Sequence, residues 1–408
     1  MSTLPRHLAM HSSTTKDSPM RAPDRRREYA AVAGVYLLLR LVALAGLSVF
    51  ATANGSDLGA RLFAWDARWM VDIAQQGYFG LGEIEEEPGH WQSLAFFPAF
   101  PFLIGALSQI PGVDPAVIGS VIAAGSGLAL AFAVVELARI AGAGPRGRIA
   151  ASILVTTAPM SIVFLMPYTD GPFLALAAWA LVLMIRKRWL GAGVLVFIAG
   201  LTRPTAIALF LTFAMVVLVH DRRNWKAWLA VAVSPAGWVG YLMWASSHLR
   251  EVGGWFGAQS RGWNTGVDGG LATVRFLIET LTTSRETGYT ISAFIVIAVV
   301  VPLVLASLPV MLRLWGNAWP VLLFSWVVAA QILLSDGLMH SRPRLLLASA
   351  LVLIVFCLMI REESHKRSAT SPVVGWVPRG VGVGKLVGWI VLGNWVGWYM
   401  LTAFEWAI

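Results

Sequence analysis

Along most of the chain, apolar runs about as long as a membrane-crossing helix alternate with short polar breaks. A helix needs about 20 apolar residues to cross a bilayer, a few less if it is upright or shielded. By that measure the pattern predicts spans at 29–53, 115–139, 149–166, 171–186, 190–201, 204–220, 226–246, 289–312, 318–335, 344–361 and 384–404. The fifth and sixth are short. They read as half-length helices meeting at Thr202-Arg203-Pro204, where proline removes a backbone donor and interrupts the pattern. The expectation is an all-α polytopic membrane protein, a bundle of about eleven transmembrane helices.

The segment 94–111 (LAFFPAFPFLIGALSQIP) is apolar enough to count as a further span. Counting it would turn the basic loops at Arg139/Arg146/Arg148 and Arg186-Lys187-Arg188 to the outer side, against the bias of lysine and arginine toward the cytoplasm. A re-entrant or juxtamembrane helix, with Pro98 and Pro101 near its start, fits better. The predicted organisation is then a disordered basic tail over 1–28 and a transmembrane domain over 29–361. Outer loops fall at 54–114 and 247–288, a cytoplasmic linker at 362–383, and a last transmembrane helix within 384–408. Neither solenoid-type repeats nor a transporter-like two-fold repeat is evident.

Composition points the same way. Of 408 residues, 57% are hydrophobic and 13% charged, and the mean hydropathy is +0.69, whereas a soluble globule carries roughly 25% charged residues. Lipid must cover part of the surface. The formal net charge of +9 would suggest nucleic acid in a soluble protein. Here the cations gather in the tail, the predicted cytoplasmic loops and the region after residue 360, and every lysine falls on that side. No nucleic-acid surface is therefore expected. Cys357, the only cysteine, excludes a disulfide framework, and seven histidines show no metal-ligand spacing. The polar N-terminal stretch lacks the h-region and cleavage site of a signal peptide.

The chemistry-bearing residues concentrate in the outer loops. Asp66 lies in Trp65-Asp66-Ala67-Arg68-Trp69, beside aromatic rings at the membrane surface. A carboxylate in that setting suits a general base that takes a proton from a sugar hydroxyl. A helix cap or a surface salt bridge to Arg68 is the alternative. Arg203 sits at membrane depth between two half-helices, where an unpartnered charge would be costly. Arg342 and Arg344 flank Pro343, where arginines anchor to headgroups at the interface. Asp170 either binds hydroxyls or caps a helix starting at Pro172, with capping favoured. Asp72 reads as a solvated charge, and the Glu83-Ile84-Glu85-Glu86-Glu87 run as an exposed loop. In the second loop, Trp255, Phe256, Gln259 and Trp263 suit sugar contacts or interfacial burial.

Trp65-Asp66, Trp69, Ile73-Ala74 and Gly77-Tyr78, followed by Ala95-Phe96-Phe97-Pro98-Ala99-Phe100-Pro101, resemble the first luminal loop of the PIG-V family. That family comprises GPI mannosyltransferases and bacterial relatives of the GT-C class. Pro167-Tyr168-Thr169-Asp170, Gly200-Leu201-Thr202-Arg203 and Ser341-Arg342-Pro343-Arg344-Leu345 resemble further family segments, so the likeness covers roughly 30–360. The chain departs from the family in having Trp69, Asp170 and Pro204-Thr205 where other residues are common, and 384–404 with the Trp-rich end lies outside the likeness.

The resemblance implies a GT-C-type bundle and an inverting transfer of a hexose, mannose by family likeness. The donor would be a polyprenyl-phosphate sugar on the outer face, the acceptor a glycolipid or cell-envelope glycan. Asp66 would be the base, and Arg203, Arg342 and Arg344 would hold the donor phosphate. Trp65, Trp69, Tyr168, Asp170, Gln259 and Trp263 would contact substrate. No cofactor is expected, although an ion shared by Asp66 and Asp72 stays open. A bacterial plasma membrane is the expected setting. A flippase for lipid-linked sugars and a non-catalytic envelope scaffold are the competing readings.

Overall fold

A computed structural model describes residues 22–80, 93–283, 285–311, 318–355, 377–406 and 408. Its described residues are helical throughout, apart from loops and one isolated antiparallel bridge, Val267 to Ser335. From the N-terminus the helices are α1 (Ala22–Ala53), α2 (Leu58–Leu62), α3 (Asp66–Gln76), α4 (Ala99–Leu107), α5 (Pro115–Ile140) and α6 (Pro145–Thr156). Then follow α7 (Asp170–Ile185), α8 (Trp189–Gly200), α9 (Ile207–His220), α10 (Trp225–Val233), α11 (Ala236–His248) and α12 (Gly254–Trp263). The last are α13 (Leu271–Thr282), α14 (Thr287–Met311), α15 (Trp319–Leu333), α16 (Arg342–Leu345) and α17 (Val377–Thr402).

Four stretches among the described residues are long and apolar enough to cross a membrane: Arg25–Ala53, Pro115–Ile140, Trp225–His248 and Thr287–Leu308. The protein is thus multi-pass by length and composition, but the expected bundle of about eleven spans is overturned. The run 149–166 divides into α6 and a 3-10 turn, Ser161–Leu165, around the left-handed Met160 (φ 68°). Helices α7, α8, α9 and α15 have 16, 12, 14 and 15 residues, each at most about 24 Å long. The run 344–361 becomes α16, a 3-10 stretch Leu346–Leu351 and a short continuation, and from 356 it lies outside the described residues. Helix α17 is long but carries Lys385, Asn394 and several glycines, and it is not among the four.

The physical reason is visible in α7. It packs between α5, α8, α9 and α15, with Phe173, Leu174, Ala177, Ala178, Leu181, Val182 and Met184 all buried. A helix enclosed by protein is as apolar all round as one enclosed by lipid. Composition therefore marks both alike, and only length separates them. Segment 94–111 holds a 3-10 turn, Ser93–Ala95, and the nine-residue α4. Phe100 and Ile104 of α4 pack with Met70 of α3 and Ile118 of α5.

The break after α6 is held from two sides. Arg40, buried in α1, donates to the carbonyls of Thr156 (2.7 Å) and Ser161 (2.8 Å) on either side of the break. Helix α17 closes the other side, with Trp389 donating to Leu154 O at 2.9 Å. Gly393 allows this approach, because a Cβ there would lie 1.9 Å from Thr157 O. At the N-terminal end of α1, Glu28 pairs with Arg139 and with Arg148 (2.6 Å), while Glu136 pairs with Arg139 and Arg186. This buried network ties α1, α5, α6 and α7 together at the end where the basic loops lie.

Candidate functional site

The polar site forms at the opposite end of α1. Beyond that helix, Asp57 caps α2 by accepting from Ala60 N at 2.8 Å. The chain then turns at Trp65, whose φ of 52° and ψ of −118° are unfavourable for a residue bearing a Cβ. Strain of this kind persists only where surrounding structure enforces it, and it gathers at functional sites. The turn makes Asp66 the first residue of α3, and its carboxylate pairs with the Arg344 guanidinium. The helix-cap and Arg68 alternatives for Asp66 do not describe this contact: Trp65 occupies the cap position, and the ion-pair partner is Arg344 from α16.

Arg344 also lies over the Tyr168 ring, its guanidinium carbon 4.9 Å from the centroid. The Tyr168 hydroxyl donates to Ala64 O at 3.3 Å. Burial, with the Asp66 carboxylate next in effect, pushes that phenol well above its ordinary value, so it stays protonated. Two residues on, Asp170 begins α7 and pairs with Arg203 at the break between α8 and α9. The expected capping role is corrected, since the helix starts at Asp170 itself, one carboxylate oxygen pairs with Arg203 and the other lacks a partner among the described residues. The segment after α3 is drawn to this break by Ala99 N–H, which donates to Leu201 O at 2.9 Å.

Two ion pairs, Asp66–Arg344 and Asp170–Arg203, thus lie beside Tyr168, drawn from four widely separated parts of the chain. Exposure of these side chains is 24% for Asp66, 10% for Arg344, 12% for Arg203 and 5% for Asp170. Asp170 Oδ2, Arg344 Nε and Thr205 Oγ1 are buried and lack a hydrogen-bond partner among the described residues. Buried polar atoms are normally bonded. Three such atoms around the two pairs leave bonding capacity for water or for polar groups of a ligand.

A cleft of about 600 Å³ is lined among others by Arg61, Trp65, Arg68, Trp69, Asp72 and Glu405; it runs along the residues on either side of Asp66, while the ion-paired side chains themselves do not line it. Arg61 and Arg68 were not among the cations singled out from sequence, though both fall within the W-D loop. Burial raises the proton affinity of Asp72, with Arg68 opposing. Glu405 comes from the Trp-rich C-terminal end. Neighbouring Phe404 and Trp406 pack on His340, whose imidazole burial, then Arg344, hold below its ordinary value.

The remaining expected residues lie elsewhere. Arg342 is buried, donating to Thr273 Oγ1 (2.5 Å) and Ser335 O (2.6 Å); it braces α13 against the turn after α15. Trp69 stacks on Phe96 at 5.7 Å, and Trp263 meets the same ring edge-on at 5.8 Å. Gln259 reaches Ala95 O at 3.5 Å, the outer limit of a hydrogen bond. Trp263 and Gln259 therefore support the segment around Ala95 and Phe96 from outside the ion-pair cluster. The Glu83–Glu87 run lies outside the described residues. Among the described residues no group of three or more His, Cys, Asp or Glu is placed to hold a metal ion.

No family model matches the chain, and no curated protein matches it. The resemblance to the PIG-V family is corrected accordingly. Its motifs are short, and four candidate spans do not make the GT-C bundle that it implied. The assignment of mannose, which rested on that likeness, falls with it. Fold and site together define an all-helical multi-pass membrane protein with a doubly ion-paired polar site at one end of its helices.

Proposed function

We propose that the protein is a membrane-bound glycosyltransferase that moves a sugar from a polyprenyl-phosphate donor to a hydroxyl of a glycolipid or envelope glycan. The basic loops face the cytoplasm and the site faces outward, in a bacterial plasma membrane that the compact loops suit. The observation that carries this reading is the convergence of Asp66, Arg344, Tyr168, Asp170 and Arg203 in one cluster, with a cleft lined by two further arginines and two tryptophans along the residues that flank Asp66.

In the reaction, Asp66 accepts the proton of the acceptor hydroxyl as its oxygen attacks the anomeric carbon. The bond from that carbon to the phosphate oxygen breaks, and the polyprenyl phosphate leaves with the electron pair. Its growing negative charge needs fixed cations. Arg344 is suited to that role, because a phosphate that passed Trp65 from the cleft would compete with Asp66 for the same guanidinium. Donor binding thereby frees the carboxylate to act as base. Arg61 and Arg68 extend the cationic lining toward the cleft mouth, and planar arginine suits phosphate. Trp65 offers a ring face to a sugar, and Asp170 Oδ2 an acceptor for a hydroxyl.

A flippase for the same lipid-linked sugars is the second reading, favoured by one feature: the interrupted helix pair α8–α9 around Arg203, a device of transporter sites. Vesicles carrying the protein, supplied with labelled polyprenyl-phosphate hexoses and membrane glycolipid acceptor, separate the two. Incorporation of label into acceptor, lost in Asp66→Asn, supports transfer; label that crosses the bilayer without being consumed supports the flippase.

A further inference from the structure

Helix α13 has three distinct faces. Thr273, Phe276 and Thr280 are buried against the protein, while Leu271, Val274, Ile278 and Leu281 are each more than half exposed. Arg275, Glu279 and Thr282 are exposed on a third side. At about 100° per residue the exposed apolar four fall within an arc of about 80°, between the buried face and the polar stripe. An exposed apolar stripe this regular is unfavourable in water.

The helix also has a fixed place. It follows the span Trp225–His248 and precedes the span Thr287–Leu308, so both its ends belong to one side of the membrane. It packs on α14, whose Phe294, Val301, Val304, Leu305 and Leu308 are exposed. The helix that bears the stripe is thus packed on a candidate membrane-crossing helix whose own exposed surface is apolar. Arg275 sits beside the stripe, where lipid phosphates lie when such a helix is half immersed.

We infer that α13 is an interfacial helix, seated in the leaflet on the side of the Asp66 site with Leu271, Val274, Ile278 and Leu281 among the acyl chains. This seating fixes more than the helix. Thr273 Oγ1 donates to Leu333 O (2.5 Å) and accepts from Arg342 (2.5 Å). Arg342 belongs to the same single-turn helix as Arg344. The depth of α13 in the leaflet therefore sets the height of Arg344 relative to the lipid headgroups. The inference rests on the membrane-spanning helices and not on the chemistry proposed for Asp66.

Site-directed spin labelling of the full chain tests it. In a Cys357→Ser background, Val274→Cys, Arg275→Cys, Ile278→Cys and Glu279→Cys are labelled singly. Each is reconstituted into vesicles of phosphatidylcholine and phosphatidylglycerol. Collision rates with oxygen, which partitions into lipid, are compared with those of a water-soluble nickel chelate. Positions 274 and 278 should favour oxygen and 275 and 279 the chelate, so that the ratio reverses between adjacent residues. Chelate access at 278 equal to that at 279 overturns the inference, because the stripe then faces water. Shielding of 274 and 278 from both reagents also overturns it, because protein, such as a second copy, then covers the stripe. A circular-dichroism spectrum unchanged from the parent identifies the variants that report on the folded protein.

Discussion

Removing either member of the Asp66–Arg344 pair should cost stability, and removing both should restore much of it. Two unit charges about 4 Å apart attract by about 4 kcal/mol at an effective dielectric of about 20. Desolvation opposes this, and the Asp66 side chain is 24% exposed while Arg344 is 10% exposed. The pair thus stands between a surface bridge, worth up to about 1 kcal/mol, and a buried one, whose breakage costs about 3–5 kcal/mol. A coupling energy of about 2 kcal/mol follows. The cycle uses Asp66→Asn, Arg344→Met and the double variant, with reversible unfolding of the purified protein in mixed micelles by increasing SDS. The double variant should be more stable than additivity of the single changes allows, yet remain inactive in transfer. Coupling within about 0.5 kcal/mol of zero, the scatter of independent sites, would refute the pairing and the competition for Arg344 built on it.

Other perturbations probe separate parts of the account. Arg203→Ala leaves Asp170 buried and unpaired and should cost about 3 kcal/mol in the same unfolding assay; adding Asp170→Asn should recover part of the loss. Gly393→Val drives a side chain into the Thr157 carbonyl and should lower stability by about 2–3 kcal/mol, read as an earlier unfolding midpoint. Hydrogen bonds from Ala272 N–H and Gly270 N–H hold the Asp268 carboxyl below its ordinary value. Its contribution is therefore complete above the unfolded pKa of about 3.9 and disappears as pH falls through the lower folded value. Thermal melts of wild type and Asp268→Asn should differ at neutral pH and converge in acid; a gap that widens in acid would contradict this.

Much of the site was legible because charge is scarce in this chain, so each charged residue in an outer loop asked for a reason. That argument led to Asp66, Arg203, Arg344 and Asp170, which the structure gathers with Tyr168. It did not reveal the pairing, because Arg344 meets Asp66 from 278 residues away while Arg68, two residues from Asp66, was the obvious partner. It also gave Arg342 and Arg344 one role. Two residues apart on a single helical turn they diverge, one toward Thr273 and the other toward Asp66. Arg61 draws no notice in the sequence, and Arg68 only as a bridge to Asp66, because nothing in sequence shows a cleft. The number of spans was illegible for a different reason: α7 and α15 are apolar because protein encloses them, and lipid would select the same residues. The motif likeness was weaker than it looked, since tryptophan, phenylalanine and proline are common wherever a loop re-enters the membrane surface.

The central claim is that Asp66 takes the acceptor proton in a sugar transfer driven by loss of a lipid phosphate. Transfer of label from polyprenyl-phosphate hexoses to a membrane glycolipid, measured in vesicles with equal amounts of folded wild type and Asp66→Asn, tests it most directly. The account predicts transfer by wild type and a loss of at least about 100-fold in the variant. Transfer undiminished in Asp66→Asn would contradict the account.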